Sequence, residues 1–442
     1  MPRNPHQVMA IALMAISGGV LLDAGVLKAF ARANAYDFTA MYRAGRGIVT
    51  GGDLYSDEGL ARIAPEALAA PGVRFVYPPL SALFFVPISL LPFGVACRLW
   101  MTISLGALAV LAGILSRYWL HGLAADARWL WAGFGVLLVA AYHAVSHTLQ
   151  VGQVEIVTGA LALGGFELGR RQRTLAAAAV LAAGTLLKPS VALVGLFFLL
   201  KRHWPVALGW VGFVALGLAL SFAVFGIEMH QRYWQYFLAH HGQRLVGVSF
   251  QDAVAFWGRL LVWEGHAPLT QYAHLAGPLT TATQVLLAIP IAALLPWRRW
   301  HELSDRRLLA ELSLVFLVAI AASNLAGIHI YLLMTPGLAV TGAWLRELTG
   351  SRRFYWAMVA WAAAWSLLAL PFDYRAPELQ HGFLVLAISS KFYGALILWG
   401  LLTWLLARGA DSPVSPDSAA GWTADHQQRS TGREGRGDDT GR

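Results

Sequence analysis

The feature that most restricts this chain is a succession of apolar stretches, most of them about 18 residues or longer, with Lys and Arg gathered in the short connections between them. A helix rises about 1.5 Å per residue, so about 20 residues cross a hydrocarbon core of about 30 Å. After a first apolar run from about Val8 to Leu27, the sequence predicts spans near 97–117, 129–147, 154–169, 174–187, 190–200, 204–225, 280–297, 308–325, 329–346, 354–371 and 383–407. Only 13% of the residues are charged, against about 25% in soluble domains. Together with 18 Trp, which favour both membrane interfaces, this places the chain among integral membrane proteins. Its net charge of +9 therefore does not point to nucleic acid. The single Cys97 excludes an intramolecular disulfide and reads as a packing residue.

The N-terminus has some signal-peptide grammar. Arg3 precedes the first apolar run, and Ala29-Phe30-Ala31 resembles a cleavage site. The run is long enough to span, so an uncleaved anchor is expected, and Asp37 falls on the outer side in either case. The stretch Tyr77-Pro78-Pro79-Leu80 to Leu91-Pro92-Phe93 is apolar but interrupted by Pro78, Pro79, Pro87 and Pro92. Each proline removes a backbone donor and clashes with the preceding turn, so a half-inserted or interface helix is expected. With that stretch not crossing and the N-terminus inside, the inner side receives Arg3, Arg117, Arg128, Arg170, Arg171, Arg173, Lys201, Arg202, Arg298, Arg299, Arg306, Arg307, Arg346, Arg352 and Arg353. The short outer connections receive only Lys188 and Arg375, as the positive-inside rule requires.

The expected fold is an all-α polytopic membrane protein of about 12 transmembrane helices, with a half-inserted Pro-rich helix and two long outer loops. Residues 1–408 form the transmembrane domain, with 28–96 as the first outer loop carrying interface helices and 226–279 as the second. Residues 409–442 are Gly-, Ser-, Asp- and Arg-rich and read as a disordered cytoplasmic tail, so both termini are expected in the cytoplasm. Lys188-Pro189 divides 174–200 into two short halves, read as a hairpin rather than one kinked helix. No internal repeat and no phosphate-binding glycine motif is present.

Several residues have types and positions suited to chemistry. Asp37, in Tyr36-Asp37-Phe38, can take the proton of an attacking hydroxyl, or can cap a short helix. His329, in the stretch Ser323 to Tyr331, can donate to a phosphate oxygen or hold a backbone carbonyl. Lys188 between two apolar halves can neutralise a phosphate or snorkel to the interface. Gln153 and Glu155, after Gly152, offer polar groups to a sugar or cap a helix end. Tyr42, Arg43, Tyr77 and Asp252 are expected substrate contacts from the two outer loops, and Arg259 an additional phosphate ligand. His143 and His147, spaced i,i+4, share a helix face, but no third metal ligand of suitable spacing accompanies them. His240-His241 reads as a solvated loop pair. Lys391 and Glu311 lie inside apolar runs as a structural pair or as snorkelling groups. No cofactor is expected, and nothing in the sequence calls for a divalent metal.

Taken together, Asp37-Phe38 with Tyr42, Gly51-Gly52-Asp53-Leu54-Tyr55, Phe75-Val76-Tyr77-Pro78-Pro79-Leu80, Gly152-Gln153, Leu187-Lys188-Pro189 and the run from Ser323 through His329 to Pro336 form an ordered set. That set resembles glycosyltransferase family 87, bacterial polytopic enzymes that include polyprenyl-phosphate-mannose-dependent mannosyltransferases. The likeness spans about residues 10–405. It implies a GT-C-type bundle in the bacterial inner membrane, with its catalytic loops on the outer face. It also implies a polyprenyl-phosphate sugar as donor, and a glycan or glycolipid hydroxyl as acceptor. Asp37 would be the base, and His329 would lie by the donor phosphate. The chain has Glu155 where many members carry Asn, and His329-Ile330 where many carry two His. The resulting expectation is an inverting hexosyltransferase, with membrane lipids as its surroundings and no nucleic-acid partner. The alternative is a polytopic transporter or flippase. Broken helices such as the one at Pro189 are a transporter habit, but the polar groups collect on one face rather than at mid-membrane.

Overall fold

A computed structural model of the chain describes residues 5–23, 36–55, 75–241, 247, 249–295, 297–324, 326–348, 352–371 and 376–408. The expected cleavage site at Ala29-Phe30-Ala31, the tail 409–442 and the side chains of His240 and His241 lie outside this description. The described residues form helices and turns. Their only β pairing is an isolated antiparallel bridge between Phe250 and Gly327.

The α-helices are α1 (Pro5–Leu21), α2 (Tyr36–Thr50), α3 (Phe93–Trp119), α4 (Ala125–Ala140), α5 (His143–Val151), α6 (Glu155–Arg170), α7 (Thr174–Leu187), α8 (Ala192–Leu200), α9 (Trp204–His241), α10 (Ala253–Leu261), α11 (Ala276–Leu294), α12 (Asp305–Ala321), α13 (Thr335–Glu347), α14 (Arg352–Ala369) and α15 (Ser390–Ala407). A 3-10 helix over Pro79–Phe85 runs into a single α turn, Val86–Ser89. That stretch is apolar but too short to cross, as its prolines require.

Five described helical segments are long and apolar enough to span: Phe93–Trp119, Trp204–Ala239, Thr270–Leu294, Ile328–Glu347 and Gly382–Ala407. A sixth results if Ala127–Ala140 and His143–Val151, bent by 51°, act as one. Length and composition alone thus stop short of the expected count of about twelve. The interior helices are shorter, such as the 14-residue α7 and the 16-residue α6. Some also bury charges, among them Glu155, Glu167, Arg307 and Glu311.

The stretch 174–200 is a hairpin. Lys188 is extended (φ −147°, ψ 120°) because a residue before proline is pushed out of the helical region, and Pro189 starts the return. At the far end the α8 ring of Phe198 stacks on Trp300 at 4.7 Å and lies 6.4 Å from Phe166 near the end of α6. Lys188 therefore stands at one end of the bundle with the start of α6, while Lys201 and Arg170 stand at the other.

The expected second outer loop, 226–279, is instead largely helical. α9 breaks at Gly226, where φ is +66°, a conformation open to glycine without steric cost. The break is fixed by His230, whose ring stacks on Phe222 at 3.9 Å and is hydrogen-bonded to Ser221 Oγ at 2.9 Å. Beyond it, Arg232 pairs with Asp53 at 3.0 Å and Tyr233 and Tyr236 meet the ring of Tyr55. The distal part of α9 thus packs on the first outer segment. The periodicity hid this, because a short apolar face beside His and Arg reads as loop until the covering residues are known.

Lys391 and Glu311 do not pair with each other. Glu311 pairs with Lys201 and Arg307, all buried at one end of the bundle. Lys391 donates to the carbonyls of Leu367 and Leu370.

Candidate functional site

The site begins with how α2 is seated. Phe38, Met41, Tyr42 and Gly45 follow i, i+3, i+4, i+7 spacing and face inward. Phe38 stacks on Trp100 at 5.6 Å and Tyr42 meets Phe93 edge-on at 5.1 Å. This places Asp37 in the first turn of α2, at the helix end where a carboxylate is favoured.

Three segments meet this carboxylate. Gly152 ends α5 at φ +70° and turns the chain so that Gln153 precedes α6. The Gln153 amide is fixed in orientation: its Oε1 accepts from the Tyr77 hydroxyl at 2.9 Å and from the backbone N–H of Val154 at 3.1 Å. Its remaining amide N–H₂ group hydrogen-bonds the Asp37 carboxyl. Burial pushes Asp37 up to about 6 from the ordinary carboxylate range, against the opposing effects of the Gln153 hydrogen bond and the Lys188 charge. Burial, and next the Asp37 charge, push the Tyr77 phenol up, so it stays a neutral donor.

Next to this pair lies Lys188. Its ammonium sits 5.7 Å from the centre of the Tyr77 ring and pairs with Glu155 Oε1. The same Oε1 is 3.3 Å from His329 Nε2. Glu155 Oε2 is buried without a hydrogen-bond partner. His329 stacks on His147 with rings 6.3 Å apart and nearly parallel, and His147 neighbours His143 at 5.7 Å. Among the described residues no group of three or more His, Cys, Asp and Glu is arranged to hold a metal ion.

Asp37, Tyr77, Gln153, Glu155, Lys188 and His329 are thus brought together. Of the other expected contacts, Tyr42, Asp252 and Arg259 are engaged elsewhere. Tyr42 is buried and its hydroxyl donates to the Leu91 carbonyl at 2.8 Å, tying α2 to the Pro-rich segment. Arg43 is half-buried six residues beyond Asp37, about 240° around the helix at 100° per residue. Asp252 caps α10 by accepting from Ala255 N at 2.8 Å, and its other oxygen accepts from Ala326 N at 2.9 Å. It braces the segment that carries His329 instead of facing a substrate. Arg259 is fully buried and donates to the Phe250 carbonyl at 2.8 Å and to Ser389 Oγ at 2.9 Å. It clamps backbone and is not placed to receive a phosphate. The sequence reading left His147 out of the site. Its i,i+4 partner His143 drew attention to a metal, whereas its stacking on His329 depends on a distant segment.

A cavity of about 840 Å³ adjoins the site. Pro78, Pro79, Leu186, Pro189, Phe222 and Trp234 form part of its wall. Its wall residues directly flank Tyr77 and the Leu187-Lys188 pair, and on the α9 side it follows the break at Gly226. A second cavity, between α3, α4, α13 and α14, is walled by Trp119, Trp361, Trp365 and aliphatic residues, with Tyr142 its only ionisable side chain.

The fold and site define a polytopic helical membrane protein with a buried acid set beside a lysine, under an apolar-walled cavity. The sequence profile of Glycosyltransferase family 87 matches residues 75–324, more than half of the chain. The chain belongs to glycosyltransferase family 87. It is 30% identical over 303 residues to a polyprenol-phosphate-mannose-dependent alpha-(1-2)-phosphatidylinositol pentamannoside mannosyltransferase of Mycolicibacterium smegmatis (strain ATCC 700084 / mc(2)155). That alignment covers 65% of this chain, and the chain spans 65% of the relative's length. No solved structure matches.

Proposed function

We propose that the chain is a membrane glycosyltransferase of GT-C type that moves a hexose, mannose by analogy with its relative, from a polyprenyl-phosphate donor to a hydroxyl of a glycan or glycolipid. The observation that carries this reading is the Asp37 carboxyl, hydrogen-bonded by Gln153 and within electrostatic reach of Lys188, beside the large cavity at the α7–α8 turn. Membership in family 87 and the relative's stated donor support the lipid-linked sugar.

In the proposed reaction Asp37 takes the proton from the acceptor hydroxyl. The acceptor oxygen attacks the anomeric carbon from the face opposite the phosphate, so the configuration inverts. The bond from that carbon to the phosphate oxygen breaks, and the electron pair leaves with the polyprenyl phosphate. Charge grows on the departing oxygen, where the Lys188 ammonium and His329 stabilise it. Tyr77 and Gln153 hold Asp37 in place. The isoprenoid chain occupies the cavity walled by Pro78, Pro79, Pro189 and Phe222. The cationic end of the bundle, with Arg170, Lys201, Arg306 and Arg307, faces the cytoplasm together with both termini. The site then opens outward from the bacterial inner membrane.

The test is Asp37→Asn in membrane vesicles supplied with radiolabelled polyprenyl-phosphate mannose. Transfer should fall by about 10²–10⁴, the usual contribution of a positioned base, with membrane insertion unchanged. Native transfer by a well-inserted variant would remove Asp37 as the base.

A further inference from the structure

The site as built is poorly matched in charge to the anion it is read as binding, and Glu155 is where the mismatch can be resolved. Two carboxylates, Asp37 and Glu155, stand with one lysine, Lys188, and with the imidazoles of His329 and His147. With neutral imidazoles, Asp37 ionised above about 6 and Lys188, which burial pulls down to about 7, still protonated, the sum is −1 − 1 + 1, a net −1. A phosphodiester donor adds another negative charge to a site largely closed to water, and an uncompensated charge in such a place is strongly disfavoured.

The two carboxylates differ in what holds them ionised. Asp37 has a fixed hydrogen-bond donor in Gln153 and the first turn of α2. Neither is removed when a phosphate arrives. Glu155 depends on Lys188 and on His329, both through Oε1, while its Oε2 is buried and unbonded. The phosphate needs the same lysine. Once Lys188 turns to the phosphate, Glu155 keeps only an imidazole neighbour and has a vacant oxygen able to carry a proton.

We propose that Glu155 is an exchangeable counter-ion of Lys188: binding of the donor phosphate displaces its carboxylate, and Glu155 takes up one proton as it is displaced. This rests on the reading of the site as a donor-phosphate site. The groups facing Glu155 are Lys188 from the α7–α8 turn and His329 from the segment before α13. Behind them stand His147 and His143 on α5, Tyr77, and Asp37 across Gln153. Lys391 acts electrostatically on His143. Balance is kept over a cycle. One proton enters with the donor and the acceptor's proton goes to Asp37. When the polyprenyl phosphate departs, Glu155 gives its proton back and pairs again with Lys188, so only the acceptor's proton leaves net. Re-pairing also expels the product from the lysine.

The experiment is calorimetric binding of farnesyl methyl phosphodiester to the purified full chain in nanodiscs. This probe keeps a single negative charge throughout the range studied. Titrations in buffers of different ionisation enthalpy count the protons. Between about pH 6, above which Asp37 is ionised, and about pH 7, below which Lys188 keeps its proton, the native protein should take up about one proton per diester bound, and affinity should fall about tenfold per pH unit as pH rises. Glu155→Gln should bind more tightly in that window, with no proton uptake and a flat profile. In transfer assays its KM for the donor should fall while kcat also falls through slower product release, a split that loss of fold does not produce. Binding by the native protein without proton uptake overturns the proposal and leaves the donor reading standing. So does a slope that survives in Glu155→Gln, or one that disappears in Asp37→Asn. Failure of the native protein to bind the diester overturns the donor reading, and this proposal with it.

Discussion

The two ends of the bundle each bury a lysine against a glutamate, yet the surroundings differ. At one end Lys201 pairs with Glu311 and donates to the Leu295 carbonyl, while Arg307 holds the other carboxylate oxygen at 3.0 Å. Lys201 and Glu311 are both fully buried. At the other end Lys188 has Glu155 and the face of Tyr77, and a large cavity adjoins it. A buried ion pair is stable only when its remaining donors and acceptors are also satisfied. At the Lys201 end each oxygen of Glu311 faces its own cation, although Oε2 has no further hydrogen bond, and the cluster joins α8 to α12. The Lys188 end leaves one oxygen of Glu155 unbonded, which suits a place where a ligand enters.

Replacing each lysine separates these roles most sharply. Lys188→Met should lower transfer by about 10²–10³, the usual cost of removing one charge-stabilising group, and should shift the thermal unfolding midpoint little. Lys201→Met should do the reverse. Breaking its buried cluster should cost about 3 kcal/mol of stability, read as a lower midpoint and lower accumulation, with turnover per folded molecule near native. Equal losses of stability in both variants would erase the distinction.

pH gives the next effect. A base has to be ionised, so with Asp37 raised to about 6 transfer should drop about tenfold per unit as pH falls below that value. Stability should move in the opposite sense. Because the folded-state value is raised, the stabilisation from the protonated form is complete below the unfolded value of 3.8 and is lost as pH rises through about 6. Parallel pH profiles of transfer and of the unfolding midpoint check both halves, and Asp37→Asn should flatten the second.

The smallest effect concerns the turn that aims Gln153. Gly152→Ala places a side chain at φ +70°, a strain of about 1 kcal/mol. The unfolding midpoint should drop by about one degree, and transfer should fall by less than tenfold. A neutral outcome would mean that the turn does not fix the Gln153 amide.

Much of the site was legible because local rules apply to it. A proline after Lys188 forces that lysine out of the helix and onto a turn. An acid heading an amphipathic segment marks Asp37. The misreadings were long-range. Arg259 was expected as a phosphate ligand, but Ser389, 130 residues away, takes its guanidinium. Asp252 looked like a loop acid, but Ala326, 74 residues away, donates to it. Tyr42 looked like a substrate contact, but its hydroxyl reaches a carbonyl 49 residues on. His147 was left out for the same reason, since it meets the site through His329.

The sequence by itself determined the membrane character of the chain, the breaks at its prolines and the segregation of cations to one set of connections. Each follows from the cost of putting charge or an unbonded backbone into hydrocarbon, a cost that every short segment meets alone. The tertiary structure decided which acids and cations share a pocket, and which lysine is sealed while the other adjoins a cavity. Those outcomes depend on distances between segments far apart in the chain, and electrostatics in a buried site is set by such distances.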